Sequence, residues 1–430
     1  LQIPFWRTIT VLNSRDVPTR FAWLCLVAVL TFSSSVRSAG EHEETELRED
    51  ANLTVGALLD TAVERYPEYG LLAAGRARAN AEMQYGERWF PDTMELGGYY
   101  LSDRQLDDTG LYEAEVAVSM PLWMPGEKRA QATLGEAMTS SQASQADEMR
   151  WMVAGQLRRQ LWQTTLARQQ WKLALEQEER LAGLLEQVVR LTEAGELSRA
   201  DELATMQELA VWKAETLALE AAYQDSVREY RALVGTEVFP ADISEKISSK
   251  EHIDDDHPAL RTALDELAST EAALALVHES TGARPSVQVF WRELRANRME
   301  PDHKALGVGL AVPLGRSPRK GPQIARASED RARAEARLLS LRRELGLQLH
   351  EARHVLKTLD LQLENSNRMM EAAAERHRLD QLAFELGEFS LREWLRRLNE
   401  TRRIERDHQL LQIRQEAAVA SYNQAVGDMP

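Results

Sequence analysis

Cysteine, long hydrophobic runs and an excess of basic charge are all missing from this sequence. Its 430 residues include one cysteine, Cys25, so no disulfide can form within one chain. Lys and Arg number 52 against 68 Asp and Glu, which gives a formal net charge of −16. Such an acidic chain has no basic face to neutralise phosphates, which argues against nucleic acid as a partner.

The most apolar stretch lies near the start of the sequence and contains that cysteine. It runs from Phe21 to Phe32, follows three arginines and precedes the small residues Ser33 to Gly40. This is the pattern of a secretory signal peptide, and the run is too short to cross a membrane as a helix. We therefore predict that residues 1–39 are a signal peptide, followed by a loose acidic leader, Glu41–Asp50, in a mature chain without cysteine.

Proline is absent from two long stretches, Gly126–Phe239 and Gln323–Met429. Both are rich in Ala, Leu, Glu, Gln and Arg, which are strong helix formers, and each is interrupted once by a Gly-Glu turn. We predict two helical hairpins, 126–235 and 322–427, each with a very long first arm and a shorter returning arm. At ~1.5 Å per residue the first arm would be roughly 100 Å long, so helices must pack against helices along their length.

The chain is an internal duplication. The turn Gly195-Glu196-Leu197-Ser198 recurs 192 residues later as Gly387-Glu388-Phe389-Ser390, and Pro121, Lys128 and Val234-Gly235 recur at the same offset. Tyr66-Pro67 matches His257-Pro258 at an offset of 191. These matches predict two structural repeats, residues 40–241 and 242–430. Each would contain a short helix, an X-Pro step, a second helix, two strands and a hairpin.

Alternation of apolar and polar residues predicts two pairs of strands, at about 93–101 and 111–120 and at about 286–294 and 305–312. Their length suits a tilted membrane-crossing strand, and aromatic residues cluster at the strands and their ends, as in outer-membrane barrels. A small soluble sheet with an aromatic core fits the strands equally well. Four strands cannot close a barrel, and an open sheet cannot lie in lipid, so a membrane location would require several chains to share one barrel.

Taken together, these features resemble the TolC family of outer-membrane efflux ducts. The resemblance covers the duplication, the two X-Pro starts, the strand pairs before Pro121 and Pro313, and both Gly turns, which is essentially all of the mature chain. It implies a mainly α fold with a small β part. Duplicated helical hairpins would form a periplasmic α-barrel, and four strands per chain would contribute to a trimeric 12-stranded transmembrane β-barrel.

The resemblance also implies a function without catalysis or a cofactor. The protein would be the exit duct of a tripartite efflux or type I secretion system, in the cell outer membrane with a long periplasmic extension. Its partners would be two further copies of itself, outer-membrane lipid, a periplasmic adaptor (membrane fusion) protein and an inner-membrane pump. The cargo stays open between metal cations, drugs and polypeptides.

Site residues follow from the same resemblance. The two turns would lie at the inner tip and dock the adaptor through Gly195, Glu196, Leu197, Ser198, Gly387, Glu388, Phe389 and Ser390. Asp201 and Glu393, each six residues after a turn glycine, would form a carboxylate ring that gates the pore. Repulsion between these charges in an assembled ring would raise their pKa and attract cations. Members of the family can carry a locking arginine in the second turn, where this chain has Phe389.

Other functions compete with this interpretation. His350-Glu351-Ala352-Arg353-His354 matches the HExxH pattern of zinc metalloproteases, but no third ligand stands in a matching pattern and the motif lies within a long helix. His252 and His257 flank three aspartates and could hold a cation weakly, although a solvated linker is the simpler interpretation. A soluble periplasmic adaptor or scaffold would explain the hairpins and the signal peptide but not the strand pairs.

Overall fold

The structure is a computed structural model that describes residues 47–280, 284–314 and 318–430. The predicted signal peptide lies outside the described residues. Seven helices and six strands are described, in the following order along the chain: β1 Arg48–Asp50, α1 Val55–Arg65, α2 Tyr69–Glu87, β2 Glu95–Ser102, β3 Tyr112–Pro121, α3 Glu127–Glu193, α4 Arg199–Val234, β4 Val238–Pro240, α5 Pro258–Glu279, β5 Ser286–Arg295, β6 His303–Ala311, α6 Lys320–Glu385 and α7 Leu391–Ala425.

The two longest helices are α3 with 67 residues and α6 with 66 residues. Their interiors lack proline and are filled with residues of high helix propensity. Pro322 lies within the first turn of α6, where a missing backbone N–H leaves no hydrogen bond unmade. At ~1.5 Å per residue each helix is about 100 Å long, so the rest of the described chain packs beside these two rods.

The four-stranded sheet is antiparallel throughout, in the order β2-β3-β5-β6. Gly98 pairs with Val116, Val116 with Trp291, and Trp291 with Leu306. These four residues therefore form one row across the sheet and lie on the same face. The helices that enter and leave the sheet repeat this order, because α2 packs on α3, α3 on α5 and α5 on α6. Towards the hairpin turns the order becomes α4-α3-α7-α6.

The largest apolar core forms where α1 and α4 pack against the middle of α3. Leu157 and Leu161 of α3 are almost completely buried, with Tyr223 and Tyr230 of α4 beside them. The Tyr223 ring stacks on Trp171 at 5.4 Å between centroids, and the Tyr230 hydroxyl donates a hydrogen bond of 2.6 Å to the carbonyl of Val238. Shortening a leucine here to alanine should cost about 3 kcal/mol of stability.

A buried arginine ties the two halves of the chain together. Arg158 of α3 is only 4% exposed, and its guanidinium donates two hydrogen bonds of 2.7 Å to the carboxylate of Glu245. The remaining donor group, Nη1, bonds to the side-chain oxygen of Gln424 at 2.7 Å and to the carbonyl of Asp428 at 2.8 Å. One guanidinium, with a hydrogen bond from each of its three nitrogens, therefore joins α3, the segment before α5 and the end of α7.

The chain differs from the predicted order of elements in two places. Arg48–Asp50 belongs to the segment expected to be loose, but it forms β1 and pairs in parallel with β4. The second half has no counterpart of α1, because residues 241–257 contain no helix or strand and α5 begins at Pro258. That segment is rich in Asp, Ser and Lys and lacks the apolar face that α1 buries. The division into repeats at residues 40–241 and 242–430 stays a prediction.

Among the residues that the structure describes, no helix combines the length and the apolar character needed to cross a membrane.

Candidate functional site

Both hairpin turns are built by the same backbone hydrogen bonds. At the first, Gly195 N–H donates to the carbonyl of Thr192 at 3.0 Å and Glu196 N–H to that of Leu191 at 2.9 Å. At the second, Gly387 N–H donates to Phe384 at 3.0 Å and Glu388 N–H to Ala383 at 2.9 Å. This is the Schellman motif, which satisfies the last carbonyls of a helix when its C′ residue is left-handed.

The two turn glycines both adopt the left-handed conformation. Their φ angles are +80° for Gly195 and +77° for Gly387, a region that residues with a Cβ rarely enter. A Cβ added at either position would meet no atom within 4 Å. Backbone conformation alone therefore favours glycine at both turns.

Each returning helix begins at a serine cap. Ser198 Oγ accepts a hydrogen bond of 3.2 Å from the Asp201 N–H, and Ser390 Oγ accepts one of 3.3 Å from the Glu393 N–H. The residues predicted to dock the adaptor thus lie on the two turns and the helix starts. Six of the eight are exposed, whereas Leu197 and Phe389 are half-buried.

The two predicted gate carboxylates occupy the same position, the third residue of a returning helix, but they bond differently. The Asp201 carboxylate turns back and accepts from the Ser198 hydroxyl at 2.6 Å and from the Ser198 N–H at 3.3 Å, which completes a capping box. The Glu393 carboxylate accepts from Arg396 at 2.8 Å and from Arg397 at 2.9 Å.

These two arginines change the electrostatics of the second tip. The hydrogen bonds from Arg396 and then Arg397 lower the pKa of Glu393 to about 2 in the single chain. The sequence-based prediction of a raised pKa concerns a ring of carboxylates in an assembly. In the described chain each of the two carboxylates makes its hydrogen bonds within its own hairpin.

Arg397 is a functional candidate that the sequence analysis missed. Its guanidinium bonds to Glu393 and, at 2.8 Å, to Asp380 of α6, and it lies 4.2 Å from the centroid of the Phe389 ring. Phe389 occupies the position in the second turn at which the resemblance suggested a locking arginine. Arg397, two turns along α7, lies against the Phe389 ring. The spacing of Glu393 and Arg397 on one helix could have indicated their pairing, whereas the partnership with Asp380 depends on tertiary packing.

One face of the four-stranded sheet is mainly apolar and exposed, with Glu293, Arg295 and Lys304 confined to one end of it. Leu306 is 77% and Val308 is 73% exposed, and the same face carries Leu96, Val116, Val118, Val289, Trp291 and Leu310. The opposite face carries Glu113, Glu115 and Arg292. Apolar surface of this extent is unusual on a soluble monomer and marks an interaction surface.

Both edges of this sheet are open in the single chain. The order β2-β3-β5-β6 leaves the outer sides of β2 and β6 without a neighbouring strand among the described residues. An open edge presents a row of unpaired backbone donors and acceptors, which is a template for pairing with another chain.

The histidines of the two alternative metal sites lie in different surroundings. His350 and His354 are exposed on α6, and the described residues contain no group of three or more His, Cys, Asp or Glu that could hold a metal ion. His257 is fully buried, and its Nδ1 accepts a hydrogen bond of 3.2 Å from the Ala259 N–H, which caps α5. Burial lowers the pKa of His257 to about 4, so its ring is neutral at pH 7.

Comparison with known proteins identifies the fold. Neither protein-family models nor curated protein sequences give a match to this chain. Solved structures do. The outer membrane protein VceC of Vibrio cholerae superposes with a TM-score of 0.67 at 13% identity, covering 87% of this chain and 96% of VceC. The CmeC outer membrane channel of Campylobacter jejuni gives 0.65 at 11% identity over 87% and 85%. The MtrE outer membrane channel of Neisseria gonorrhoeae gives 0.63 at 11% identity over 87% and 89%.

These similarities extend over nearly the whole described chain and over nearly the whole of each channel. The predicted fold class, duplicated long helical hairpins with a small β part of the TolC type, is therefore confirmed.

Proposed function

We propose that this chain is an outer-membrane channel that assembles as a trimer and serves as the exit duct of a tripartite efflux pump. The observation that carries the proposal is a sheet with an exposed apolar face and two open edges, attached to helices about 100 Å long. The likeness of the fold to solved outer-membrane channels supports it.

Lipid explains both features of the sheet. The apolar face would contact acyl chains, which removes the cost of exposing Leu306, Val308 and Leu310 to water. The open edges would pair with the sheets of other copies, because backbone groups cannot stay unpaired in a bilayer. β6 of one copy would lie antiparallel to β2 of the next, since the strand directions alternate across the sheet.

Barrel geometry favours three copies over two. Two copies would supply eight strands, and the interior of an eight-stranded barrel is filled by side chains or holds one small ligand. Three copies would supply twelve strands and leave an aqueous lumen. The exposed apolar side chains Leu339, Leu347 and Val355 of α6, and Val211 and Leu217 of α4, would then pack between copies, since α6 and α4 are the outer helices near the turns.

The inner tip would serve docking and gating. Three copies would present six Schellman turns, and we assign adaptor docking to Gly195, Glu196, Leu197, Ser198 and their second-half equivalents Gly387, Glu388, Phe389 and Ser390. We assign the gate to Asp201 and Glu393. The Glu393 charge is compensated by Arg396 and Arg397, so Asp201 would supply more of the gate's preference for cations.

Disulfide trapping between copies tests the assembly. The chain's one cysteine lies in the predicted signal peptide, so no native cysteine of the predicted mature chain would compete with the introduced ones for disulfide formation. Gly97→Cys on β2 has no atom within 4 Å of its new Cβ, and it can be combined with Ala305→Cys, Gly309→Cys or Ala311→Cys on β6. Within one chain two strands separate β2 from β6, a distance of about 14 Å, which a disulfide cannot span.

The expected result is a covalent trimer on a denaturing gel for at least one pair, from protein in the outer-membrane fraction. The single-cysteine variants should give no covalent trimer. A monomer for every pair, or recovery of the chain as a soluble periplasmic protein, would contradict the proposal and favour an adaptor or scaffold.

A further inference from the structure

The face of the sheet opposite the apolar one holds an ordered group of charged side chains. Arg292 of β5 donates two hydrogen bonds, of 2.8 and 2.6 Å, to the carboxylate of Glu115 on β3, and its Nε lies 3.2 Å from a carboxylate oxygen of Glu113. The hydroxyl of Tyr99 on β2 donates a hydrogen bond to the Glu113 carboxylate. Three strands thus contribute to one group on one face, which we call the charged layer (Tyr99, Glu113, Glu115 and Arg292).

Packing holds this layer in place. The Arg292 guanidinium lies 5.4 Å from the centroid of the Phe290 ring, on the same face of β5. Phe290 in turn covers Gly307 of β6 so closely that a Cβ at that glycine would lie 2.3 Å from the ring. The other residues of β6 on this face are His303, Ala305, Gly309 and Ala311, all but one of them small. On the β6 side, Arg292 therefore has mostly small neighbours.

Carboxylates outnumber cations on this face. Glu95 of β2 joins Glu113 and Glu115, and Arg292 is the one arginine or lysine among the strand residues on this side of the described sheet. In the assembly proposed above the apolar face turns to lipid, so this face lines the lumen. Three copies then place nine carboxylates against three guanidinium groups on the inner wall.

The dimensions of such a barrel let these charges act across the lumen. Twelve strands about 4.8 Å apart and tilted by about 40° give a backbone diameter of roughly 24 Å, which side chains narrow further. The Debye length is about 10 Å at 0.1 M salt, so the charged side chains on the wall influence ions throughout most of the lumen.

We propose that the charged layer makes the β-barrel end of the duct selective for cationic cargo, with Glu113 and Glu115 supplying the preference and Arg292 limiting it. This inference rests on the proposed function and goes beyond it. It specifies that the cargo is positively charged, and it assigns the selectivity to residues far from the hairpin tips. A cation in the lumen gains favourable potential at this layer, whereas an anion meets excess negative charge.

The test is the reversal potential of the purified full-length trimer in planar bilayers under a KCl gradient centred on 0.1 M. The permeability ratio of K⁺ to Cl⁻ should exceed one. Arg292→Gln should raise the ratio by about threefold, because three compensating charges are lost, and Glu113→Gln with Glu115→Gln should lower it by at least as much. Both changes should shrink at 1 M salt.

Two variants control for indirect effects. Arg292→Lys keeps the charge and should keep the ratio near that of the unmodified channel. Glu293→Gln removes a carboxylate from the neighbouring position of β5, which lies on the opposite face beside Lys304, and should leave the ratio unchanged. Opposite shifts in the Arg292→Gln and double-glutamine channels cannot arise from a general loosening of the barrel.

Two results would overturn the inference, and they are distinguishable. If the channels conduct but neither the Arg292→Gln nor the double-glutamine variant changes the ratio, the charged layer does not select ions, and the proposed duct stands. If the unmodified protein forms no channel, the proposed function itself fails and the inference fails with it.

Discussion

The two hairpin tips have the same backbone conformation but different side chains packed beneath the turn. The positions that carry Asp380 and Arg397 in the second hairpin carry Val188 and Thr205, 192 residues earlier, in the first. Val188 and Thr205 are almost completely buried, and Asp380 is 7% exposed. The first hairpin thus has a buried valine and a buried threonine at the positions where the second hairpin has an ion pair.

This difference shows what the turn requires. The Schellman hydrogen bonds and the serine caps recur at both tips, so Gly195, Ser198, Gly387 and Ser390 determine the geometry. The side chains beneath the turn determine how each tip responds to charge and pH. The following predictions test that separation, beginning with the largest expected effect.

Val188→Asp at the first tip should destabilise the protein most, by about 3 to 5 kcal/mol, because it buries a carboxylate without a cation to pair with. The converse change, Asp380→Val at the second tip, should cost much less, since Arg397 keeps its bonds to Glu393. Chemical denaturation of the purified protein measures both losses. Equal losses would mean that the two tips tolerate charge alike.

Arg397→Thr should loosen the second tip, because the nearly buried Asp380 carboxylate loses its hydrogen bond from Arg397 and keeps only the more distant Arg376, at 3.8 Å. We expect amide hydrogen exchange near residues 380–397 to quicken roughly tenfold. The double variant Asp380→Val with Arg397→Thr recreates the pair of the first tip and should restore slow exchange. If the double variant exchanges as fast as the single one, the ion pair is not what holds this tip.

Gly195→Val and Gly387→Val should have equal effects, since both turns need a left-handed residue and neither has an atom near the added Cβ. Backbone strain should cost about 1 to 2 kcal/mol per tip, leaving a folded protein in which the proposed efflux function is lost. Gly183→Val, within α3 at a site without nearby atoms, adds the same bulk without that strain and should preserve efflux. Full efflux in both turn variants would refute the docking role.

The proposed gate should depend unequally on its two carboxylates. Asp201→Ala should lower the cation preference of single channels more than Glu393→Ala, because Arg396 and Arg397 already compensate Glu393. The double variant should lose block by divalent and trivalent cations. If its selectivity and block match those of the unmodified channel in planar bilayers, these residues do not line the constriction.

The smallest effect should be a pH response of the second tip. The pKa of Glu393 is lowered to about 2, so its ion pairs stabilise the folded tip above the carboxyl's unfolded pKa of about 4.3. That contribution is lost as the pH falls from about 4.3 through about 2. Exchange protection near Glu393, corrected for intrinsic rates, should fall in this window. Glu393→Gln should remove the response, and an unchanged profile in that variant would contradict its assignment to Glu393.

Much of the architecture was predictable because it depends on local patterns. The helices followed from runs without proline, and strands β2, β3, β5 and β6 from period-two alternation, with ends within about two residues of those observed. The short pair β1 and β4 was not predictable, because three residues such as Arg48–Asp50 carry no periodicity and pair with a segment 190 residues away.

The hairpin tips show the same distinction between features that local sequence determines and features that depend on tertiary contacts. The turn glycines and serine caps follow from residue types with strong backbone preferences. The sequence also places Asp201 and Glu393 at equivalent positions. It does not reveal that one carboxylate caps its own helix while the other binds arginines, since side-chain partners depend on the neighbours available.

By itself the sequence determined the duplication, the two hairpins with their left-handed glycines and the two faces of each strand, because these properties arise within a few residues of chain. Only the tertiary structure decided that β3 pairs with β5, that Arg158 binds Glu245 and the end of α7, and that Arg292 lies between Glu113 and Glu115. These contacts join segments more than 80 residues apart, and their formation depends on how long helices pack rather than on any local preference.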